Sequence, residues 1–187
     1  MNTNKNESLL MDKKDINRAL QRIADEILEE NKSVKDLVMV GIRSKGEHLA
    51  KRLCKIINKA ENIEIPLGII DTTLYRDDLN KTSHHPVIKK TEISFSVTDK
   101  KVVLVDDVLY TGRTIRAAMD ALIDLGRPKC IQLVVLIDRG HRELPIHADY
   151  KGKYIPTPKN KSIRVMLSEE KEEEGVFLID GPEKVEW

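Results

Sequence analysis

Between residues 12 and 137 the sequence alternates short apolar runs with amphipathic stretches, and this alternation constrains the fold more than any other feature. Asp12 is placed to cap a helix in which Ile16, Leu20, Ile23 and Ile27 recur at helical spacing. Leu37 to Ile42 is a wholly apolar run, read as a buried strand. Gly46 to Ala60 follows as a second amphipathic helix, with Leu49, Leu53, Ile56 and Ile57 facing inward. Ile63 to Tyr75 reads as a strand with Pro66 at a bulge or edge. Arg76 to Lys90 is polar, carries His84, His85 and Pro86, and is expected to be a long mobile loop. Ile93 to Val97 alternates like a strand. Lys101 to Val105 is a strand ending in Asp106-Asp107. A polar turn then opens a helix from Thr114 to Leu125, stopped by Gly126 and Pro128. Ile131 to Ile137 is a further apolar strand, Asp138 to Lys161 a loop, and Ser162 to Leu167 with Val176 to Asp180 a hairpin. Such alternation predicts a parallel sheet covered on both faces, with the hairpin as a small appendage.

Composition narrows the function classes. With 187 residues the chain can bury a core of its own, and residues 12–187 are expected to form one domain behind a flexible leader at 1–11. Lys and Arg number 32 against 31 Asp and Glu, which argues against indiscriminate coating of nucleic acid. Aromatic residues are 4 %, too few for a platform that stacks single-stranded bases. The apolar runs fall far short of the ~20 residues needed to span a bilayer, so no membrane partner is expected. Cys54 and Cys130 match no metal-ligand spacing. Read as free thiols without a signal-peptide core ahead of them, they point to a reducing cytoplasm.

The segment richest in chemistry is Val102-Val-Leu-Val-Asp106-Asp107-Val-Leu-Tyr110-Thr111-Gly112-Arg113-Thr114. An apolar strand delivers two carboxylates at its C-terminal end, where open parallel sheets bind ligands. The following turn opens a helix whose first N–H groups lack partners and sit at the positive end of the helix dipole. Gly112 lets a phosphate approach the backbone, and the threonine hydroxyls add donors. The run lacks the Lys of a P-loop and the spacing of a dinucleotide fingerprint. A second strand-to-helix turn, Gly41-Ile42-Arg43-Ser44-Lys45-Gly46-Glu47, offers backbone amides and two cations suited to a polyanion.

The first run resembles the phosphoribosyl-pyrophosphate (PRPP) motif of type I phosphoribosyltransferases. That resemblance implies an α/β fold with a central parallel sheet flanked by helices, a small hood and a C-terminal β-hairpin. It implies that Asp106 and Asp107 hold the ribose hydroxyls and act in catalysis, and that Tyr110 to Thr114 bind the 5′-phosphate. Arg43, Ser44, Lys45 and Gly46 would then form the pyrophosphate loop, with a non-proline cis peptide near Ser44-Lys45. Arg76 would reach pyrophosphate from a flap, and magnesium would accompany PRPP.

Tyr110 and Asp138 stand where purine-salvage members carry an acidic residue and a lysine, which argues against a hypoxanthine or guanine substrate. The segments Leu74-Tyr-Arg-Asp-Asp78, Leu125-Gly-Arg-Pro128, Ile137-Asp-Arg-Gly-His-Arg-Glu-Leu-Pro-Ile146 and Ala148-Asp-Tyr150 are instead similar to the PyrR family. The resemblance implies a uracil phosphoribosyltransferase that also binds the leader mRNA of a pyrimidine operon when UMP or UTP occupies the PRPP site, causing transcription attenuation. It implies a base pocket at Ile137, Asp138 and Arg139, and a homodimer or higher homo-oligomer. A salvage phosphoribosyltransferase without an RNA role is the alternative. From Arg139 to Arg164 there are seven Lys and Arg against two acids, a local excess of +5. Arg139, Arg142, Lys151 and Lys153 are accordingly the candidate RNA contacts, with Arg18 and Arg22 on the first helix.

Overall fold

The computed structural model describes residues 7–77, 90–170 and 173–181. The first helix, α1 (Lys13–Asn31), starts where Asp12 and Asp15 form a reciprocal capping box. The Asp15 N–H donates to Asp12 Oδ1 at 2.8 Å, and the Asp12 N–H donates to Asp15 Oδ2 at 3.1 Å. Its stripe of Ile16, Leu20, Ile23 and Ile27 is fully buried, as the spacing predicts. Each such side chain contributes about 1.5–3 kcal/mol relative to exposure.

Five strands, β2 (Leu37–Ile42), β3 (Leu67–Ile70), β4 (Lys101–Leu109), β5 (Cys130–Asp138) and β6 (Tyr150–Tyr154), make a parallel sheet in the order β3-β2-β4-β5-β6. Helix α2 (Lys45–Glu61) follows β2, and α3 (Arg113–Leu125) follows β4. Side chains alternate across the sheet with period two. Leu37, Met39, Val103 and Val105 pack with α1 and α2, while Val38, Val40, Val102 and Leu104 pack with Ile115, Ala118 and Leu122 of α3. The sheet is thus covered on both faces, which is why its strands read as unbroken apolar runs.

The appendage is larger than a hairpin. β7 (Lys161–Met166) and β8 (Gly175–Asp180) are antiparallel, and β1 (Glu7–Asp12) pairs with the other edge of β8. The expected flexible leader is therefore corrected from residue 7 onward, because Met11 is buried and Glu7 meets Ile179 in register. Residues 1–6 of that leader lie outside the described residues. Three other expectations change. The strand expected over 63–75 shrinks to Leu67–Ile70, followed by a 3-10 turn at Thr73–Tyr75. Ile93 to Val97 is not a strand; only Glu92 bridges to Ile69. The loop expected over 138–161 contains β6. His84, His85 and Asp78 of the expected mobile loop lie outside the described residues.

Candidate active site

The chain runs from β2 outward to β3, then crosses back past β2 to β4. The order reverses between β2 and β4, and such a switch point opens a crevice at the carboxyl ends of the two strands. The two turns singled out in the sequence leave these two strands. Gly46 lies so close to β4 that a Cβ on it would stand 2.3 Å from the Val105 carbonyl oxygen and 3.1 Å from Asp106 Cα. The Lys45 ammonium reaches to 3.6 Å from Asp107 Oδ2. The Arg43-Ser44 peptide is cis, one residue earlier than expected. The α2 and α3 N-termini, which open at this crevice from Ser44 and Gly112, carry no side-chain cap, in contrast to α1. Their leading N–H groups suit an anionic ligand.

β4 continues to Leu109, so both aspartates lie within a strand rather than in a turn. Asp106 is 7 % exposed and its Oδ1 accepts the Asp107 N–H at 3.0 Å. Burial, and then the neighbouring Asp107 carboxylate, push the Asp106 carboxyl well above the usual range. Asp107 is half-buried and faces Lys45.

The turn from Tyr110 to Thr114 is packed under the segment that follows β5. Thr111 O accepts the N–H groups of Glu143 and Leu144, at 3.0 and 3.2 Å, and Thr111 Oγ1 accepts the Arg113 N–H at 3.3 Å. Gly112 has φ +92°, a left-handed backbone conformation in which only glycine sits without strain. Thr114 is half-buried in the first turn of α3. The Arg113 guanidinium meets Asp77 at 2.8 Å and Glu143 at 2.7 Å. Likewise the Arg43 guanidinium meets Glu92 at 3.0 Å, the Lys90 carbonyl at 3.1 Å and Glu47 at 3.7 Å. Burial opposes the ionisation of Glu47, but a hydrogen bond from Lys51 and the charges of Lys51 and Arg43 hold its carboxyl below the usual range.

At the end of β5, Ile137, Asp138 and Arg139 are all buried. The Arg139 guanidinium carbon stands 4.1 Å above the Tyr110 ring, and His141 meets the same ring edge-on at 6.3 Å. Arg139 Nη2 donates to Lys161 O at 2.8 Å, while its buried Nε has no hydrogen-bond partner among the described residues. Asp138 Oδ1 accepts the Gly140 N–H at 3.0 Å and pairs with Arg142 at 2.6 Å. The Asp138 carboxylate therefore shapes the turn after β5. Arg76 is half-buried at the end of the 3-10 turn.

The basic stretch does not act as one patch. Arg142 is 16 % exposed and donates to the carbonyls of Leu109, Tyr110, Gly140 and Ile146. Arg139 is 5 % exposed. Both are corrected from surface contacts to interior braces. Arg164 pairs with Glu7, and Lys161 with Asp180 at 3.1 Å. Arg18 and Arg22 also pair, with Asp15 at 2.6 Å and Glu26 at 2.7 Å, but both stay exposed and, with Gly152 and Lys153, line a common groove of about 360 Å³ beside Asp15, Ala19 and Met11. Arg22 donates to the carbonyls of Lys151 and Gly152 at 3.0 and 2.7 Å, bringing α1 against β6. The acidic partners Asp77, Glu92 and Glu143 escaped the sequence reading, because each meets its arginine only through the fold.

Residues 8–170 match the Phosphoribosyl transferase domain model. A Bifunctional protein PyrR from Alkaliphilus metalliredigens (strain QYMF) is 56 % identical over 172 residues, 92 % of this chain and 94 % of that protein. Another from Thermoanaerobacter sp. (strain X514) is 59 % identical over 160 residues, 86 % of this chain and 90 % of that protein. Among solved structures, a Staphylococcus aureus hypoxanthine phosphoribosyltransferase superposes with TM-score 0.70 at 23 % identity, covering 97 % of this chain and 98 % of that one. A Trypanosoma cruzi hypoxanthine phosphoribosyl transferase does so with TM-score 0.72 at 20 % identity, covering 97 % and 95 %. The solved structures share the fold; the sequence identity goes further, and the chain belongs to the PyrR family of phosphoribosyltransferase-domain proteins.

Proposed function

We propose that the chain transfers a phosphoribosyl group from PRPP to uracil, giving UMP and diphosphate, and that it binds a pyrimidine-operon leader mRNA in response to UMP or UTP to cause attenuation. The observation that carries the catalytic half is the meeting of the β2 and β4 turns, with Lys45 3.6 Å from Asp107 and Gly46 packed on the β4 backbone. In this reading the amides and cation of residues 43–46 bind the diphosphate end of PRPP. Asp106 and Asp107 take the ribose hydroxyls, and Tyr110 to Thr114 take the 5′-phosphate. The carboxylates also favour the oxocarbenium-like charge that develops as the base nitrogen displaces diphosphate from the anomeric carbon. Arg76 assists at the diphosphate.

The base would sit by Tyr110 and the backbone of Ile137 to Arg139. A tyrosine stacked under an arginine puts no carboxyl group before the motif threonine to face a purine N7, which favours a pyrimidine. Among the described residues no group of three or more His, Cys, Asp or Glu is arranged to hold a metal ion. Two adjacent carboxylates fit a magnesium held mainly by the substrate's own oxygens, with Asp106 or Asp107 behind it. When bound, magnesium supplies charge neutralisation of the leaving group.

The groove of Arg18, Arg22 and Lys153 supports an RNA contact. No helix among the described residues is long and apolar enough to cross a membrane. Binding a leader mRNA during its transcription calls for a cytoplasmic protein, and the PyrR resemblance for a homo-oligomer. The test is a paired assay. Incubation with PRPP, magnesium and uracil should yield UMP, and leader-RNA affinity should rise with UMP. Absence of UMP refutes the catalytic half, and RNA binding indifferent to UMP refutes the regulatory half.

A further inference from the structure

Arg113 stands inside the phosphate turn by sequence, yet its side chain points its donors at protein carboxylates. Its Nη1 meets Asp77 Oδ2 at 2.8 Å, and its Nε meets Glu143 Oε2 at 2.7 Å. The two carboxylates belong to different walls of the crevice. Asp77 lies on the segment after β3, which α3 also holds through Arg116 Nη2 to Tyr75 O at 3.1 Å and Tyr75 OH to Asp124 at 2.7 Å. Glu143 lies on the segment after β5, whose N–H groups at 143 and 144 already clasp Thr111 O. The backbone of Arg113 meanwhile donates to Thr111 Oγ1 within the turn.

We infer that Arg113 is a positioning residue that straps the Asp77 wall and the Glu143 wall to the phosphate turn, and that it acts on PRPP through this turn rather than by touching phosphate. Two opposite carboxylates neutralise its charge, so little remains to attract an anion. Its planar fork suits two carboxylates at once, which a lysine cannot match. The inference rests on the proposed PRPP site, and it assigns the specific work of residue 113 within that site.

The ion pairs are partly exposed: side-chain exposure is 34 % for Arg113, 48 % for Asp77 and 51 % for Glu143. Pairs of this kind are worth about 0.2–1 kcal/mol, or about one- to fivefold in an equilibrium constant. The experiment measures KM for PRPP, kcat and thermal unfolding for Asp77→Asn, Glu143→Gln, Arg113→Met and the Arg113→Met/Glu143→Gln pair. Asp77→Asn and Glu143→Gln should each raise KM for PRPP about two- to fivefold with kcat and unfolding temperature unchanged. The double variant should be no worse than Arg113→Met alone, since one strap is lost once.

If Glu143→Gln and Asp77→Asn leave KM for PRPP unchanged or lower it, the inference is overturned; an Arg113→Met that then still raises KM marks Arg113 as a direct phosphate ligand. These two neutral variants decide the matter even if Arg113→Met fails to fold. A wild-type protein that neither binds nor consumes PRPP would instead refute the proposed function, so the two failures are distinct.

Discussion

Asp106 accepts the backbone N–H of Asp107 on its own Oδ1 at 3.0 Å, while burial and the second carboxylate disfavour its charge. Such a group costs stability above the pH at which the unfolded aspartate ionises, near 3.8, and costs nothing when both states are protonated. Asp106→Asn keeps the acceptor and removes the charge. It should therefore raise the unfolding temperature at pH 7, with the gain vanishing below about pH 3.8, while abolishing UMP formation. Thermal unfolding across pH, beside an activity assay, checks both signs. A variant that kept full activity would remove Asp106 from the reacting centre.

Arg52 on α2 grips Glu169, with Nε to Oε1 at 2.8 Å and Nη2 to Oε2 at 2.6 Å, and it also pairs with the buried Glu174. The Arg52 hydrogen bond brings the Glu169 carboxyl down to about 2 from the ordinary 4.5. A lowered pKa contributes stability above 4.5 that is lost as pH falls toward 2. Glu169→Gln should thus be less stable than wild type at neutral pH and indistinguishable from it near pH 2. Denaturant titrations at several pH values would show the convergence.

Gly46→Ala introduces a methyl group against the Val105 carbonyl, a backbone atom that cannot swing aside. Overpacking of this kind costs about 1–3 kcal/mol. The variant should lose stability by that amount and bind PRPP more weakly, because relief requires the β2 turn to move off β4. Calorimetric titration with PRPP is the direct readout.

Lys153 and Arg142 should respond differently to the same substitution. Lys153→Met should weaken leader-RNA binding at all sequences and lower the magnitude of the salt slope by about 1. Arg142→Met should mainly unfold the segment after β5, since it strands Asp138 and several carbonyls. Salt-dependent RNA titrations set beside melting curves separate the two.

What could be read in the sequence depended on whether the signal was local. β2 matches its expected bounds because all six of its residues are buried between polar flanks. β4 extends four residues past its expected end, since the aspartates interrupt the apolar run without interrupting the backbone ladder. β6, Tyr-Lys-Gly-Lys-Tyr, buries only Tyr150 at a sheet edge and left no apolar trace. β1 depends on a partner at the opposite end of the chain. The site motifs were legible because strand, carboxylates and helix-opening turn are contiguous. The basic stretch misled because counting charges says nothing of direction: Arg142 points inward and Arg22 joins from α1.

The pairing of Glu7 with Ile179 also orders events during synthesis. A ribosome exposes β2 to β5 and their helices well before β8 exists, so the frame of the crevice can assemble on the nascent chain. β1 must wait, with Leu9 and Met11 unpartnered, until residues 175–180 emerge. Closing so long a loop is slow and entropically costly. Premature termination anywhere in the last strand would release a chain with a formed crevice and an open edge at β7, a natural substrate for chaperones or proteases.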